Sequence, residues 1–424
     1  MTKGGPRGGF EGLDACVHCG FCLQACPTFL ATGDESDSPR GRIELMRALE
    51  RGELSETDTA LRIHLDRCLG CRGCEPVCPS GVRYAQGLEA ARARITTARG
   101  TPVLARWALW ALTTPGVSGV VYWFARILRA VLPLSIAGWG RIRFALGMLA
   151  ATKAAAITTA AKGRRRGGAN RSPPLSSPPP HSPPPAALLF RGCIQQGLFS
   201  HVHDATVRTL GVNGYGIREV AGQVCCGALH AHAGLLDEAR ALARTNIEAF
   251  GDGDEPIVVN SAGCGAQLKD YAHLMGDARG ERFAARVRDV TELLAAPSPV
   301  PGAPLDLHVA YDPPCHLLHA QGIAVPPLKL FAAIPLLELV EVPGASECCG
   351  SAGLFTLLEP EMSRAVLATK LARLREAAPQ VVATGNPGCL MQLGAGLAAA
   401  RIHAQVRHPV ELLDESYRAA GRYE

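Results

Sequence analysis

The sequence predicts a multidomain chain of mixed α+β and α/β class. It reads as a mainly helical N-terminal domain, a helical segment, and two tandem α/β cysteine-rich lobes. Three observations predict this. Eight of the sixteen cysteines form two copies of one short run. The other eight form two copies of a second, longer pattern. Between the two sets lies a stretch without acidic residues that ends in Arg, Ser and Pro. These shifts divide the 424 residues into units 10–95, 96–185, 186–300 and 301–424.

The first unit carries Cys16-x2-Cys19-x2-Cys22-x3-Cys26-Pro27 and Cys68-x2-Cys71-x2-Cys74-x3-Cys78-Pro79. This is the ligand spacing of a dicluster, ferredoxin-like [4Fe–4S] domain. Cysteines at i, i+3 and i+6 wrap one face of an iron–sulfur cube. The short loop cannot reach the far iron, so the fourth thiolate comes from elsewhere. In such ferredoxins the fourth Cys of each run serves the other cluster. Cys16, Cys19, Cys22 and Cys78 are therefore expected to hold one cluster, and Cys68, Cys71, Cys74 and Cys26 the other. Pro27 and Pro79 favour a turn that ends each run. Structural zinc is the competing reading. It recruits cysteines two plus two, and a run of four with a trailing Pro fits it poorly. Disulfides are not expected. The chain begins Met1-Thr2-Lys3-Gly4-Gly5-Pro6, without a charged-then-apolar leader, and thiols kept reduced for metal imply a cytoplasmic setting.

The second unit is basic. The overall charge of +5 hides a segregation: fifteen Lys and Arg and no Asp or Glu fall between Ala90 and His203, leaving 28 basic and 38 acidic residues elsewhere. Trp107, Trp110, Trp123 and Trp139, all the tryptophans, lie here. Tryptophan beside arginine and apolar runs suits a membrane interface, and basic side chains attract anionic lipid. Trp107 to Ala125 is uncharged for nineteen residues, close to a span. Thr113-Thr114-Pro115-Gly116 interrupts it, so two amphipathic or buried helices are expected. Peripheral docking on a membrane or partner and packing on the lobes use the same apolar face, and both readings stay open. Residues 163–185 are Arg-, Ser- and Pro-rich and read as a linker. Arg164-Arg165-Arg166 is a basic patch without a nucleic-acid fold motif, so no nucleic-acid partner is expected.

The two lobes share a second repeat. Cys193, Cys225-Cys226-Gly227 and Cys264 recur as Cys315, Cys348-Cys349-Gly350 and Cys389, offset by 122, 123 and 125 residues. Leu188-Leu189-Phe190 and Ile257-Val258-Val259 in the first lobe match Val309-Ala310-Tyr311 and Val381-Val382-Ala383 in the second. Short apolar runs of this kind read as buried strands. Leu235–Phe250 and Pro360–Ala378 read as helices. The cysteines are expected on loops at the strand ends, where ligand sites tend to lie. Buried, reduced cysteines that only pack are the competing reading, and Cys-Cys-Gly twice is too specific for that.

These residues resemble the cysteine-rich CCG domain of heterodisulfide reductase subunits. In that domain Cys…Cys-Cys-Gly…Cys-x-x-Cys holds an iron–sulfur centre. The first Cys of the closing pair is replaced here by Ser261 and Asn386. Four thiols per lobe still suffice for one cluster, whereas the five-cysteine arrangement for disulfide chemistry is absent. Taken together, the chain resembles the iron–sulfur subunit of glycolate oxidase (glycolate dehydrogenase). The matching segments include Cys16-Val17-His18-Cys19-Gly20-Phe21-Cys22, Pro39-Arg40-Gly41-Arg42-Ile43, His64-Leu65-Asp66-Arg67-Cys68-Leu69 and Asn386-Pro387-Gly388-Cys389. The C subunit of anaerobic glycerol-3-phosphate dehydrogenase shares the architecture and is the nearest rival. A self-contained thiol or disulfide reductase, and a structural adaptor whose clusters serve only folding, are readings from two further classes.

Oxidising a 2-hydroxy acid removes two electrons together, and a flavin is the usual group to accept and split the pair. No flavin or nicotinamide motif stands in a convincing context. Gly394-Ala395-Gly396-Leu397-Ala398-Ala399 lies inside an Ala- and Leu-rich helical stretch, where small residues serve close packing. The chain is therefore expected to relay electrons and not to catalyse alone. The resemblance implies a separate FAD-binding glycolate oxidase subunit as partner, and a membrane quinone or other carrier as acceptor. His18, His230, His232 and His316 flank the cysteines and read as second hydrogen-bonding partners or exposed side chains. Arg40, Arg42 and Arg67 either stabilise cluster charge or form surface pairs.

Overall fold

The computed structural model describes residues 9–154 and 185–423. The Pro-rich linker and Arg164-Arg165-Arg166 lie outside the described residues, save Pro185.

The N-terminal domain packs four helices around the two cysteine runs. They are α1 (Pro27–Thr32), α2 (Pro39–Glu50), α3 (Thr59–Asp66) and α4 (Tyr84–Arg99). The first three begin where the sequence supplies a start. Pro27 and Pro39 open α1 and α2, Ser38 Oγ accepts from Gly41 N at 3.0 Å, and Asp58 caps α3. Gly41 is required by contact: a Cβ there would lie 2.0 Å from the Glu35 carbonyl oxygen. Leu13, Ile43, Met46, Leu49, Leu61, Leu65 and Leu88 fill the core. Helix α4 runs four residues past the expected boundary at 95, because no breaker precedes Gly100.

Three helices follow: α5 (Val103–Thr113), α6 (Val117–Val131) and α7 (Arg141–Ala150). The break at Thr114–Gly116 falls where Pro115 denies a continuous helix. Helix α7 packs on the second lobe through small residues. A Cβ on Gly147 would meet Ala395 at 3.4 Å, and one on Gly394 would meet Ala151 at 2.5 Å. Close packing thus accounts for the Gly394-Ala395-Gly396 stretch. No helix among the described residues is long and apolar enough to cross a membrane.

The first lobe contains β1 (Ala186–Phe190), α8 (Ile194–Leu198), α9 (Ser200–Val212), β2 (Gly216–Glu219), α10 (Ala228–His232) and α11 (Leu236–Phe250). It continues through β3 (Ile257–Val259), α12 (Ala262–Lys269), α13 (Tyr271–Met275), α14 (Ala278–Arg286), β4 (Val287–Asp289) and α15 (Val290–Ala295). The second contains β5 (Leu307–Tyr311), α16 (Val325–Ala332), β6 (Leu337–Leu339), α17 (Phe355–Leu358) and α18 (Pro360–Ala377). It ends with β7 (Val381–Ala383), α19 (Pro387–Ala399), β8 (Gln405–Arg407) and α20 (Pro409–Ala419). Both sheets are parallel, in the orders β2-β1-β3-β4 and β6-β5-β7-β8. The second order is the first shifted by four strands, which is the tertiary form of the sequence repeat.

Strand periodicity assigns each face a task. Ala187, Leu189 and Val258 share one core with Val309, Val381 and Ala383, and this core joins the lobes. The alternate residues Leu188, Phe190 and Val259 pack with Cys225 and Cys226. Ala310 and Val382 pack with Cys349 and Cys389. One cysteine in each pattern sits differently from expectation. Cys264 lies in α12 and Cys389 in α19, not on loops. Only two or three residues separate β3 and β7 from those helices, so the chain turns straight from strand to helix.

Polar contacts lock the lobe junction. His203 Nε2 donates to the Arg191 carbonyl oxygen at 3.0 Å, and Asn260 Nδ2 donates to His203 Nδ1 at 3.0 Å. His408 Nε2 donates to the Asn260 carbonyl oxygen at 3.1 Å, while its Nδ1 accepts from Val410 N and caps α20. Arg208 forms a two-pronged pair with Asp414, each contact 2.8 Å. Burial pushes the His408 imidazole down to about 3 and that of His203 down to about 4, so both are neutral at pH 7.

This junction makes stability depend on pH. The unfolded chain takes up these protons near the ordinary histidine value of 6.5, whereas the folded chain resists until about pH 3–4. Stability is present above that ordinary value and falls as the pH drops through the window. The thermal midpoint of the full chain should decline from about pH 6.5 downward. The decline should be shallower in His408→Asn, which can keep the cap but removes one titrating group.

Candidate iron–sulfur sites

The two cysteine runs cross. Cys16, Cys19, Cys22 and Cys78 line one small pocket, together with Val17 and Phe21. Cys26, Cys68, Cys71 and Cys74 line a second. The structure therefore places Cys78 beside the first run and Cys26 beside the second, with Cys74 at both pockets. Cys74, Pro39 and Tyr84 line both pockets, so the two sites share a wall. The first opens to the surface beside exposed Val17 and Phe21. The second lies deeper, between buried Cys26 and Cys68.

Arg42 organises the deeper site. Its side chain is 1% exposed. Nη1 lies 3.9 Å from Cys26 Sγ and donates to Thr28 Oγ1 at 3.0 Å; Nε donates to the His64 carbonyl oxygen at 2.7 Å. Nη2 donates to Asp37 Oδ1 at 3.3 Å, and Asp37 also meets Arg67 and His64 Nδ1. Burial pushes the Cys68 thiol up, but Arg42 and Arg92 outweigh it and hold the thiol below its usual range. Tyr84 Oη donates to Cys68 Sγ at 3.5 Å. Four thiols, a buried cation and hydrogen-bond donors to sulfur form a donor set that fits an anionic iron–sulfur cluster.

The eight remaining cysteines gather into two groups of four. In the first lobe Cys193 Sγ lies 3.5 Å from Cys225 Sγ, and Cys226 bridges Cys225 to Cys264. In the second, Cys349 Sγ lies 3.2 Å from Cys389 Sγ, and Cys348 meets both Cys315 and Cys349. The two groups differ in their surroundings. Lys370, 3% exposed, pairs with Asp312 beside Cys348 and Cys349, and also donates to the Ala345 carbonyl oxygen at 2.9 Å. Burial pushes Asp312 up to about 6. The first lobe has neutral groups in this role: Asn246 Nδ2 donates to the Cys225 carbonyl oxygen, and Tyr271 Oη to that of Cys226. Leu69, Cys71, Cys315 and Cys348 belong to one apolar cluster, so the deeper N-terminal site adjoins the second-lobe group.

The flanking residues take varied places. His18 meets Arg47 and Glu44 at the surface. Arg40 pairs with Glu35 and donates to the His18 carbonyl oxygen. His230 lies near Cys225. His316 Nδ1 is 3.8 Å from Cys315 Sγ, and its ring stacks on His232 at 5.5 Å. Both histidines line a polar cavity of ≈ 320 Å³ that also includes Arg72, Glu89 and Asp270. Asn386 Oδ1 accepts from Gly263 N at 3.1 Å, and its Nδ2 points to Cys389 Sγ at 3.6 Å. Ser261 is buried at the start of α12. Asp37, Tyr84, Asp312 and Lys370 carry no spacing signal, and sequence reading missed them.

The charge network has a measurable consequence. Arg42→Ala removes the fully buried cation from Asp37 and leaves Arg67 and His64 as its partners, at an expected cost of about 3 kcal/mol, the low end for a broken buried pair. The denaturant midpoint should fall accordingly. Arg40→Ala, at the surface pair with Glu35, should leave that midpoint unchanged.

A family model described as a 4Fe-4S dicluster domain matches residues 12–82, and a cysteine-rich domain model matches 187–269 and 309–394. The probable glycolate oxidase iron-sulfur subunit of Bacillus subtilis (strain 168) is 33% identical over 430 residues, covering 96% of this chain and 94% of that protein. The glycolate oxidase iron-sulfur subunit of Escherichia coli (strain K12) is 31% identical over 420 residues, covering 95% and 94%. Lactate utilization protein A of Geobacillus kaustophilus (strain HTA426) is 30% identical over 233 residues, covering 53% of this chain and 97% of its own.

Proposed function

The chain belongs to the glycolate oxidase iron-sulfur subunit family, and we propose that it relays electrons from a FAD-bearing glycolate-oxidising partner to an acceptor at the membrane. Its two-site N-terminal domain and cysteine-rich lobes make it an electron-transfer subunit of an oxidoreductase. The observation that carries the reading is the wall of Cys74, Pro39 and Tyr84 shared by the two cysteine-lined pockets. An iron–sulfur cluster, when bound, passes one electron at a time. Cys16, Cys19, Cys22 and Cys78 hold one [4Fe–4S] cluster in this reading. Cys26, Cys68, Cys71 and Cys74 hold the other.

The chain's own residues set a direction. Val17 is 69% and Phe21 67% exposed, on the loop that covers the outer site. Exposed apolar side chains beside a redox site suit a docking face for the flavin partner. Arg42 and the donors around Cys68 stabilise negative charge at the inner site. Lys370 does the same beside Cys315, Cys348, Cys349 and Cys389, which favours the second lobe as host of a third centre. The complex works in the cytoplasm and rests on the inner membrane face through α5 and α6. Their outer faces expose Trp107, Trp110, Trp123 and Phe124, while Arg126 and Arg129 hold α6 to the first lobe through the Gly197 and Leu198 carbonyl oxygens. A lipid quinone is the acceptor that such a position serves.

Cells lacking the gene should lose dye reduction with glycolate and keep it with D-lactate and glycerol 3-phosphate. Loss with glycerol 3-phosphate alone would reassign the partner. Cys78→Ser should alter the same electron paramagnetic resonance signal as Cys16→Ser; separate signals would disprove the crossed ligand sets. Iron should reach about eight per chain from the N-terminal sites alone. Any excess should vanish in Cys349→Ser and persist in Cys226→Ser. The chain should float with anionic vesicles, and Trp123→Glu with Phe124→Glu should abolish flotation.

A further inference from the structure

A cavity of ≈ 500 Å³ lies where the N-terminal domain, the start of α5 and both lobes meet. Cys68 and Leu69 form part of its wall. Leu229, Leu354, Phe355 and Leu358 supply apolar surface from the two lobes. Arg62, Arg92 and Arg99, with Asp66 and Glu359, add a charged side. Arg62 Nε is buried and meets no hydrogen-bond acceptor among the described residues. Val103, at the beginning of α5, also lines the cavity and is 62% exposed. Leu104 and Trp107 continue that exposed apolar face along the helix.

We propose that this cavity binds the head group of a lipid quinone, with the isoprenoid tail leaving past Val103 along α5. The proposal rests on the relay reading above and adds the place of exit. The volume is that of a small-molecule site, with an apolar side from the lobes and a charged side from the N-terminal domain. Arg62 Nε is a free donor suited to a quinone carbonyl oxygen. The rim is continuous with the face that docks on lipid, so a ligand dissolved in the bilayer reaches the cavity without crossing water. The inner wall includes Cys68, a residue of the deeper site. The quinone takes up two electrons and two protons and leaves as the quinol. The electrons are those the partner removes from its substrate, arriving singly, and the protons come from water at the charged side.

The test uses the full chain with its clusters reconstituted and decylubiquinone as probe. Binding is followed by isothermal titration, and the site is mapped with a photoreactive azidoquinone. Saturable binding should weaken at least about tenfold in Leu358→Trp, which fills the cavity. A second variant, Val103→Asp, places a charge on the exposed rim and should also weaken it; cluster absorbance reports that each variant is folded. Label should appear within 92–105, 229–233 or 352–359. Unchanged binding in both variants, or label confined to 117–142, overturns the site. Equal competition by decanol, which has the tail without the ring, also overturns it in favour of a lipid chain. A protein that floats on vesicles and carries its clusters, yet binds no decylubiquinone, sinks the cavity assignment and leaves the relay reading standing. Labelling of the cavity in a chain whose loss spares glycolate oxidation has the opposite meaning: the site stands and the substrate reading fails.

Discussion

A single buried guanidinium sets the terms for the N-terminal domain. Arg42 comes from α2, yet its partners come from α1, the turn before α2, and α3: the Cys26 thiol and Thr28, Asp37, and the His64 carbonyl oxygen. A charge taken out of water is tolerated only when its donors are satisfied and an opposite charge is near. Asp37 supplies the carboxylate, and it is held in turn by Arg67 and His64. The thiols supply the rest once they act as ligands. The first cysteine run, α2 and α3 must therefore assemble together. Their assembly brings Cys26 away from its own run and beside Cys68.

The lobes show how a duplicated fold acquires different halves. Strand order and register repeat, and each sheet turns one face to a common core and the other toward cysteines of its own lobe. The electrostatics do not repeat. Lys370 and Asp312 place a buried ion pair against the second group of thiols, whereas the first is bordered by Asn246 and Tyr271. The cationic environment lies on the side that also adjoins Cys71. A negative centre is thus favoured where electrons from the N-terminal domain would next arrive.

The basic helices join these parts while keeping one face free. Helix α7 uses glycine and alanine to approach α19 closely. Helix α6 uses Arg126 and Arg129 to cap carbonyl oxygens of the first lobe, and Arg92 on α4 reaches the His232 carbonyl oxygen. Gly234 permits that last approach: a Cβ there would lie 2.5 Å from the Arg92 backbone, at a φ of +78°. With arginines facing inward as donors, the tryptophans and Phe124 are left facing outward. Packing uses one face of these helices and leaves the other exposed, so the two readings that compete in the sequence are compatible in space.

Cysteine spacing by itself determined the dicluster domain and the duplicated lobes, and Pro115 determined the break between α5 and α6, because ligand reach and helix termination are local properties of the chain. The placement of Cys78 beside the first run and of Cys26 beside the second was legible for the same reason: a run of three cannot close a fourth ligand. Position within the lobes was less legible. Cys264 and Cys389 enter helices because the turns before them are too short for a loop, and no spacing rule states that. Only the tertiary structure decided which cations stand beside which thiols. In sequence Arg42 reads as either a cation that stabilises cluster charge or a member of a surface pair, and Lys370 as any surface residue on a helix. Burial gives them their electrostatic weight, and burial depends on contacts between segments far apart in the chain.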